Sequence, residues 1–218
     1  MREAVVEELD RAKLMCIFRG GKLSDDELRR SCQAVLDGGA RIVELTYNHN
    51  DDKVEETPRA IALLRETFGD DLMVGSGTTL NVEEVRMAHE AGASFVVSPV
   101  LDKGVIEEAA RLDLMCMPGA GSATEALRAY EWGADYVKLF PAGEMGIGYA
   151  RALMAPLGFI KYFAVCRMTP GFFEECLRAG FAGAGVSSCI NAPELIASRA
   201  FDEIERRVAE YVAIAARF

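Results

Sequence analysis

The sequence predicts an α/β protein: a single (β/α)8 barrel of TIM type with an extra helix at its amino end. Three observations predict it. Short apolar runs alternate with longer amphipathic stretches along the whole chain, the pattern of βα units and a parallel sheet. The apolar runs are nearly continuous, so each strand is to be covered on both faces. Eight such runs occur in 218 residues with no long linker, enough for one closed barrel. A doubly wound open sheet is the main alternative, but no G-x-G-x-x-G follows the first strand. GSGTTLN, residues 75–81, does lie between a strand and a helix, with the wrong spacing for a dinucleotide loop. With 50% apolar residues the chain suffices for one sizeable core, and one domain over residues 1–218 is expected.

The extra helix is expected over residues 2–12 and the first strand at 14–18. The stretch SDDELRRSCQAVLDGG then opens on a Ser24 cap with an acidic first turn and closes on glycine, as a helix should. Strands two to four are expected at 41–46, 72–76 and 94–98; NVEEVRMAHEAGA, capped by Asn81 and stopped by Gly92, joins the last two. The fifth is expected at 114–118. SATEALRAYEWGA, capped by Ser122 and stopped by Gly133, leads to the sixth at 135–140. The seventh and eighth fall at 160–165 and 182–188.

Composition narrows function by exclusion. Lys plus Arg is 24 against 34 Asp plus Glu, a net −10 with no basic block, which argues against nucleic acid and anionic membrane as partners. An anionic small substrate would need cations gathered locally. No apolar run approaches the roughly 20 residues of a membrane span. The segment MREAVVEELDRAK lacks the apolar region of a secretory signal, and a cytoplasmic protein is expected. The six cysteines include no C-x-x-C pair and read as buried thiols in a reducing compartment. His49 and His89 stand 40 positions apart, so neither a zinc-type cluster nor a cofactor is expected.

Two strands carry a charge inside an apolar run: Glu44 in IVELT and Lys138 in YVKLF. Each lies five residues after a helix-ending glycine, Gly39 and Gly133, which implies equal height and equal side-chain parity. They fall on strands two and six, and alternate strands of a barrel supply one interior layer. Both should therefore face the interior near the C-terminal mouth, where this fold keeps its chemistry. A bland reading is a buried structural ion pair. The chemical reading is stronger at a mouth. A desolvated lysine has a lowered pKa and can attack a ketone to form a Schiff base, while a neighbouring carboxylate shuttles protons. That combination is a class I aldolase.

Three segments now resemble one family, the 2-keto-3-deoxy-6-phosphogluconate (KDPG) and 4-hydroxy-2-oxoglutarate (KHG) aldolases. They are GGARIVELTYNH (residues 38–49), GSGTTLNVEEVRMAHEAGASFVVSP (75–99) and MPGAGSATEALRAYEWGADYVKLFPAG (117–143). The resemblance runs in order over about residues 10–195. It implies a homotrimeric barrel that cleaves a 2-oxo-4-hydroxy acid to pyruvate and an aldehyde. It also implies that Lys138 is the Schiff-base lysine, Glu44 the general acid/base and Thr78 a carboxylate ligand, with Phe140 and Pro99 walling the pyruvyl group. Thr46, two residues beyond Glu44 on the same face, is placed to orient it.

The departures are as informative. Where the family has an arginine that grips the pyruvate carboxylate, this chain has Asn48, which offers hydrogen bonds and no charged fork. Arg19, just beyond the first strand, is the candidate to compensate. The family's Thr-Gly-Gly phosphate loop after strand seven reads Val165-Cys166-Arg167 here, and its Gly-Gly-Ser after strand eight reads Val186-Ser187-Ser188, with only Ser188 kept. Side chains there should fix φ and close the space where backbone meets phosphate. Thr169-Pro170 suits the start of the next helix better than the loop itself. A remodelled distal site is therefore expected, for an unphosphorylated substrate or for one whose distal carboxylate reaches Arg167. The competing readings are a degenerate barrel that binds an oxo acid without turnover, and a metal-dependent sugar-phosphate epimerase or isomerase, for which the histidines are too few.

Overall fold

A computed structural model describes residues 1–50 and 53–218. Its strands are β1 (Leu14–Arg19), β2 (Ile42–Thr46), β3 (Met73–Gly77), β4 (Phe95–Val97), β5 (Met115–Met117), β6 (Gly119–Ala120), β7 (Val137–Leu139), β8 (Tyr162–Val165) and β9 (Gly183–Val186). All pairings are parallel, in the order β5-β4-β3-β2-β1-β9-β8-β7-β6. β5 and β6 are consecutive pieces of one stave, interrupted at Pro118, which has no N–H to donate to a ladder. β5 pairs with β4 and β6 with β7, so the chain itself joins the two ends of the sheet into an eight-stave barrel. The eight expected strands are all present. Each differs from its expected bounds by one or two residues at an end; the fifth also continues past Pro118, and the eighth stops at Val186 rather than reaching Ser188.

The principal helices are α1 (Arg2–Ala12), α2 (Asp25–Asp37), α3 (Glu56–Phe68), α4 (Val82–Glu90), α5 (Lys103–Arg111), α6 (Ala123–Glu131), α7 (Ala142–Met154) and α8 (Pro170–Arg178). After β9 come α9 (Ser188–Asn191), α10 (Pro193–Ala197) and α11 (Phe201–Ala215). The caps are those the sequence announces: Ser24 forms a capping box with Glu27, while Asn81 and Ser122 accept from the N–H groups of Glu84 and Glu125. Thr169 caps α8 with Pro170 in its first turn, which leaves residues 166–168 as the loop after β8.

Strand parity divides the core in two. Met15, Ile17, Ile42, Phe95, Val97, Met117, Tyr136, Phe163 and Val165 form the barrel interior. Their neighbours Cys16, Phe18, Val43, Leu45 and Val74 pack outward against the helices. Full burial of each large apolar side chain is worth about 2 kcal/mol. The extra helix α1 closes the amino end of the barrel, with Val5 and Leu9 joining the interior cluster. Tyr136 donates to Asp10 at 2.7 Å and pins that floor. A plugged floor leaves the C-terminal mouth for chemistry. No helix among the described residues is long and apolar enough to cross a membrane.

Candidate active site

The inward parity that puts Ile42 in the core also carries Glu44 and Thr46 inward up β2, 1% and 8% exposed. Glu44 stands opposite Ile17 on β1 and Gly75 on β3. Its carboxylate occupies the space over Gly77, where any Cβ would overlap it. Its Oε2 is buried without a hydrogen-bond partner among the described residues. Burial raises the pKa of this carboxyl, and the charges of Lys138 and Arg19 pull against that.

Lys138 rises between Tyr136 and Phe140 on β7 and is 6% exposed. Its Nζ lies 5.0 Å from the centroid of the Phe140 ring. Burial lowers the amine's pKa, opposed by Glu44 and by Cys166. Glu44 and Lys138 thus act on one another through the interior, as equal offset from the two glycines implied. No nitrogen–oxygen contact within 4.0 Å joins them among the described residues, so they are not the closed ion pair of the bland reading.

At the end of β2 beyond Glu44 a cleft of about 320 Å³ is lined by Arg19, Thr46, Asn48, His49 and Thr78, among others; neither Glu44 nor Lys138 lines it. Arg19 ends β1 in register with Thr46. Thr78 takes a left-handed backbone, φ 54°, and His49 Nε2 donates to its carbonyl at 2.9 Å. Behind His49, Tyr47 donates to the Glu84 carbonyl at 2.8 Å, and the Glu84 carboxylate accepts from the Leu80 N–H at 2.6 Å. The loops after β2 and β3 are thereby tied together. Asn48 is half-buried and accepts from the Asn50 N–H at 3.3 Å. Pro99, at the end of the fourth stave, is half-buried, and Phe140 is 38% exposed over Lys138. A second cleft, about 480 Å³, shares Arg19 and Lys22 with the first and includes Ser188.

The loop after β8 corrects one expectation. Cys166 and Arg167 do not fix φ at ordinary values: they stand at 101° and 50°, so the glycine-type backbone path survives with side chains on it. Such residues cost about 1–3 kcal/mol each. Arg167 is exposed and forms a surface ion pair with Glu144 of α7 at 2.7 Å. Sequence alone does not single out His49 as a tie to Thr78, nor Gly77, whose missing side chain admits Glu44. Their one visible signal is position, immediately beyond or at the end of a strand. Among the described residues no three of His, Cys, Asp and Glu are grouped to hold a metal.

Fold and mouth together define a class, a parallel (β/α)8-barrel enzyme with a lysine and a carboxylate desolvated beneath its C-terminal opening. Within that class the chain belongs to the KDPG and KHG aldolase family, carbon–carbon lyases, whose family model matches residues 5–207. It is 34% identical over 176 residues to the 2-dehydro-3-deoxy-6-phosphogalactonate aldolase of Escherichia coli (strain K12), covering 80% of this chain and 82% of that one. It is 33% identical over 159 residues to the 2-dehydro-3-deoxy-phosphogluconate aldolase of Treponema pallidum (strain Nichols), 72% of each. A solved structure described as "Native KDPGal structure" superimposes with a TM-score of 0.82 at 31% identity, covering 94% of this chain and 96% of that one. The KDPG aldolase of Legionella pneumophila, solved with pyruvate captured as a covalent carbinolamine, shares the fold at 20% identity, with a TM-score of 0.82 and coverage of 94% and 96%.

Proposed function

We propose that this aldolase works through a Schiff base, reversibly cleaving a 2-oxo-4-hydroxy acid to pyruvate and an aldehyde. The observation that carries the reading is Lys138, an inward lysine whose burial lowers its pKa beside a carboxylate that does not pair with it. The neutral amine attacks the C2 ketone, and the carbinolamine loses water to give an iminium. Glu44, its pKa raised, takes the C4 hydroxyl proton as the C3–C4 bond breaks and the electron pair enters the iminium. The enamine is protonated at C3, and water releases pyruvate from Lys138. Thr78 and Arg19, with Asn48 as a neutral donor, bind the carboxylate; Thr46 orients Glu44; Phe140 and Pro99 wall the pyruvyl group.

At the distal end the reading is a remodelled site for an unphosphorylated or carboxylate-tailed substrate. Its support is the pair of side chains, Cys166 and Arg167, on the loop after β8. A second reading, a phosphorylated sugar acid as in the names of the relatives, is favoured by the left-handed backbone those two residues retain. The homotrimer implied by resemblance draws support from an exposed aromatic pair, Tyr130 and Phe159, with ring centroids 5.0 Å apart.

Intact-protein mass spectrometry after pyruvate plus borohydride, with peptide mapping, tests the mechanism. A pyruvyl adduct on Lys138 is expected, and no adduct at millimolar pyruvate overturns the Schiff base. An adduct without turnover of any 2-oxo-4-hydroxy acid would favour a barrel that only binds. Comparing KDPG, its galacto epimer and 4-hydroxy-2-oxoglutarate decides the distal site: strong preference for either phosphorylated acid rejects the remodelled reading.

A further inference from the structure

We propose that Glu84, buried on α4 behind His49, is a positioning residue for oxo-acid capture: acting through His49, it holds Thr78 at the first cleft in the backbone shape that receives the pyruvate carboxylate. The proposal rests on the Schiff-base reading, in which Thr78 is a carboxylate ligand, and adds to it a residue that touches no substrate. In α2, α4 and α6 alike a glutamate follows three residues after the cap: Glu27, Glu84 and Glu125. Among the described residues Glu27 bonds only to Ser24, and Glu125 only to Gly121 and Ser122; neither is buried. Glu84 is different. It is 5% exposed, its Oε2 accepts from the Leu80 N–H at 2.6 Å and its Oε1 from Asn81 Nδ2 at 2.7 Å. The same Oε1 stands 3.7 Å from His49 Nδ1 on the loop after β2. Burying a carboxylate is costly, and Glu27 and Glu125 show that a helix start does not require it.

What the burial achieves lies beyond the helix. His49 Nε2 donates to the Thr78 carbonyl at 2.9 Å, so both ring nitrogens face oxygen, which a ring with a hydrogen on each satisfies. Thr78 stands at φ 54°, a backbone that a side-chain-bearing residue keeps only where its neighbours enforce it. Glu84 enforces it twice, through His49 on the Thr78 carbonyl and directly on the Leu80 N–H two residues further on. Between them the Thr79 N–H donates to the Val97 carbonyl at 3.1 Å, which fixes the middle of the segment to β4. The cap of α4 is a separate bond, from the Glu84 backbone N–H to Asn81 Oδ1 at 3.0 Å, so replacing the Glu84 side chain leaves its donor and acceptor in place.

The test reads capture without an aldehyde: the borohydride-trapped Lys138 adduct is followed against pyruvate concentration, and kcat for pyruvate plus glyoxylate is measured alongside. Glu84→Ala is expected to raise the half-saturating pyruvate about tenfold while kcat stays within about twofold. Glu84→Gln keeps an acceptor for the Leu80 N–H and is expected to fall between, at about threefold. An unchanged half-saturation, or a loss in kcat as large as the loss in capture, overturns the proposal. His49→Ala supplies the second arm. Because Glu84 acts through His49, the double variant is expected to match Glu84→Ala alone within about twofold, and effects that multiply overturn the assignment. If Glu84→Ala does not fold, Glu84→Gln carries both arms, and a wild-type half-saturation there overturns it. A wild type that gives no adduct rejects the Schiff-base reading and this proposal with it, whereas a wild-type adduct with unmoved variants rejects Glu84 alone.

Discussion

Glu44 keeps a carboxyl in an apolar barrel with one oxygen unpartnered, which burdens the fold for the sake of the site. Because burial raises its pKa, the folded chain keeps a proton that the unfolded chain has already released above the ordinary glutamate range. Stability therefore falls as pH rises through that window. Glu44→Gln is expected to remove this part of the slope in denaturant unfolding followed upward from about pH 4.5. The same variant should lose about 100-fold or more in turnover while the Lys138 adduct still forms; wild-type turnover would remove Glu44 from proton transfer. His49 is a subtler case. His49→Ala frees the Thr78 carbonyl and is expected to raise the KM for pyruvate several-fold with kcat little changed, and His49→Gln, which keeps a donor, should restore part of it. Glu44 and Lys138 were legible in the sequence because a charge inside an apolar strand breaks the pattern around it. His49 and Gly77 were not, because their contribution is a contact across neighbouring staves that no local pattern encodes.

At the scale of elements, alternation and capping residues announced strands and helices, since both follow from local rules. The continuation of the fifth stave past Pro118 was hidden: Gly119 and Ala120 form strand only because β7 lies beside them once the barrel closes. The loop after β8 was misjudged for a related reason. Substituted glycines suggested a changed backbone, yet Cys166 and Arg167 hold left-handed values, with Gly143 of α7 packed closely against them. Cys166→Gly should therefore relieve strain without moving the loop. A stabilisation of about 1 kcal/mol is expected by chemical denaturation, the strain released exceeding the added freedom of the unfolded chain. A destabilised variant would mean that the thiol's packing outweighs its backbone.

For the whole molecule, a net charge of −10 leaves the mouth an exception, where Arg19, Lys22 and Lys138 gather without ion-pair partners among the described residues. An anionic substrate, as proposed above, would be drawn to that end by the local field against the sign of the whole. The exposed pair of Tyr130 and Phe159 bears on assembly. If the proposed trimer forms through this pair, introducing Tyr130→Glu and Phe159→Glu together is expected to shift sedimentation from trimer to monomer; a wild type that sediments as a monomer rejects the trimer, and a trimer that persists in the variant places the interface elsewhere.

The stave divided at Pro118 has a further consequence for the chain's behaviour in a crowded solution. Because β5 and β6 belong to one backbone, the stave they form has β4 on one side and β7 on the other, so the two ends of the sheet meet in the chain itself. A nick between Met117 and Gly119 would remove the covalent link across this seam and, if the ends parted, expose two free borders at once, each a template for another chain. The two-residue segment Gly119–Ala120 thus guards against aggregation as well as framing the chemistry above it.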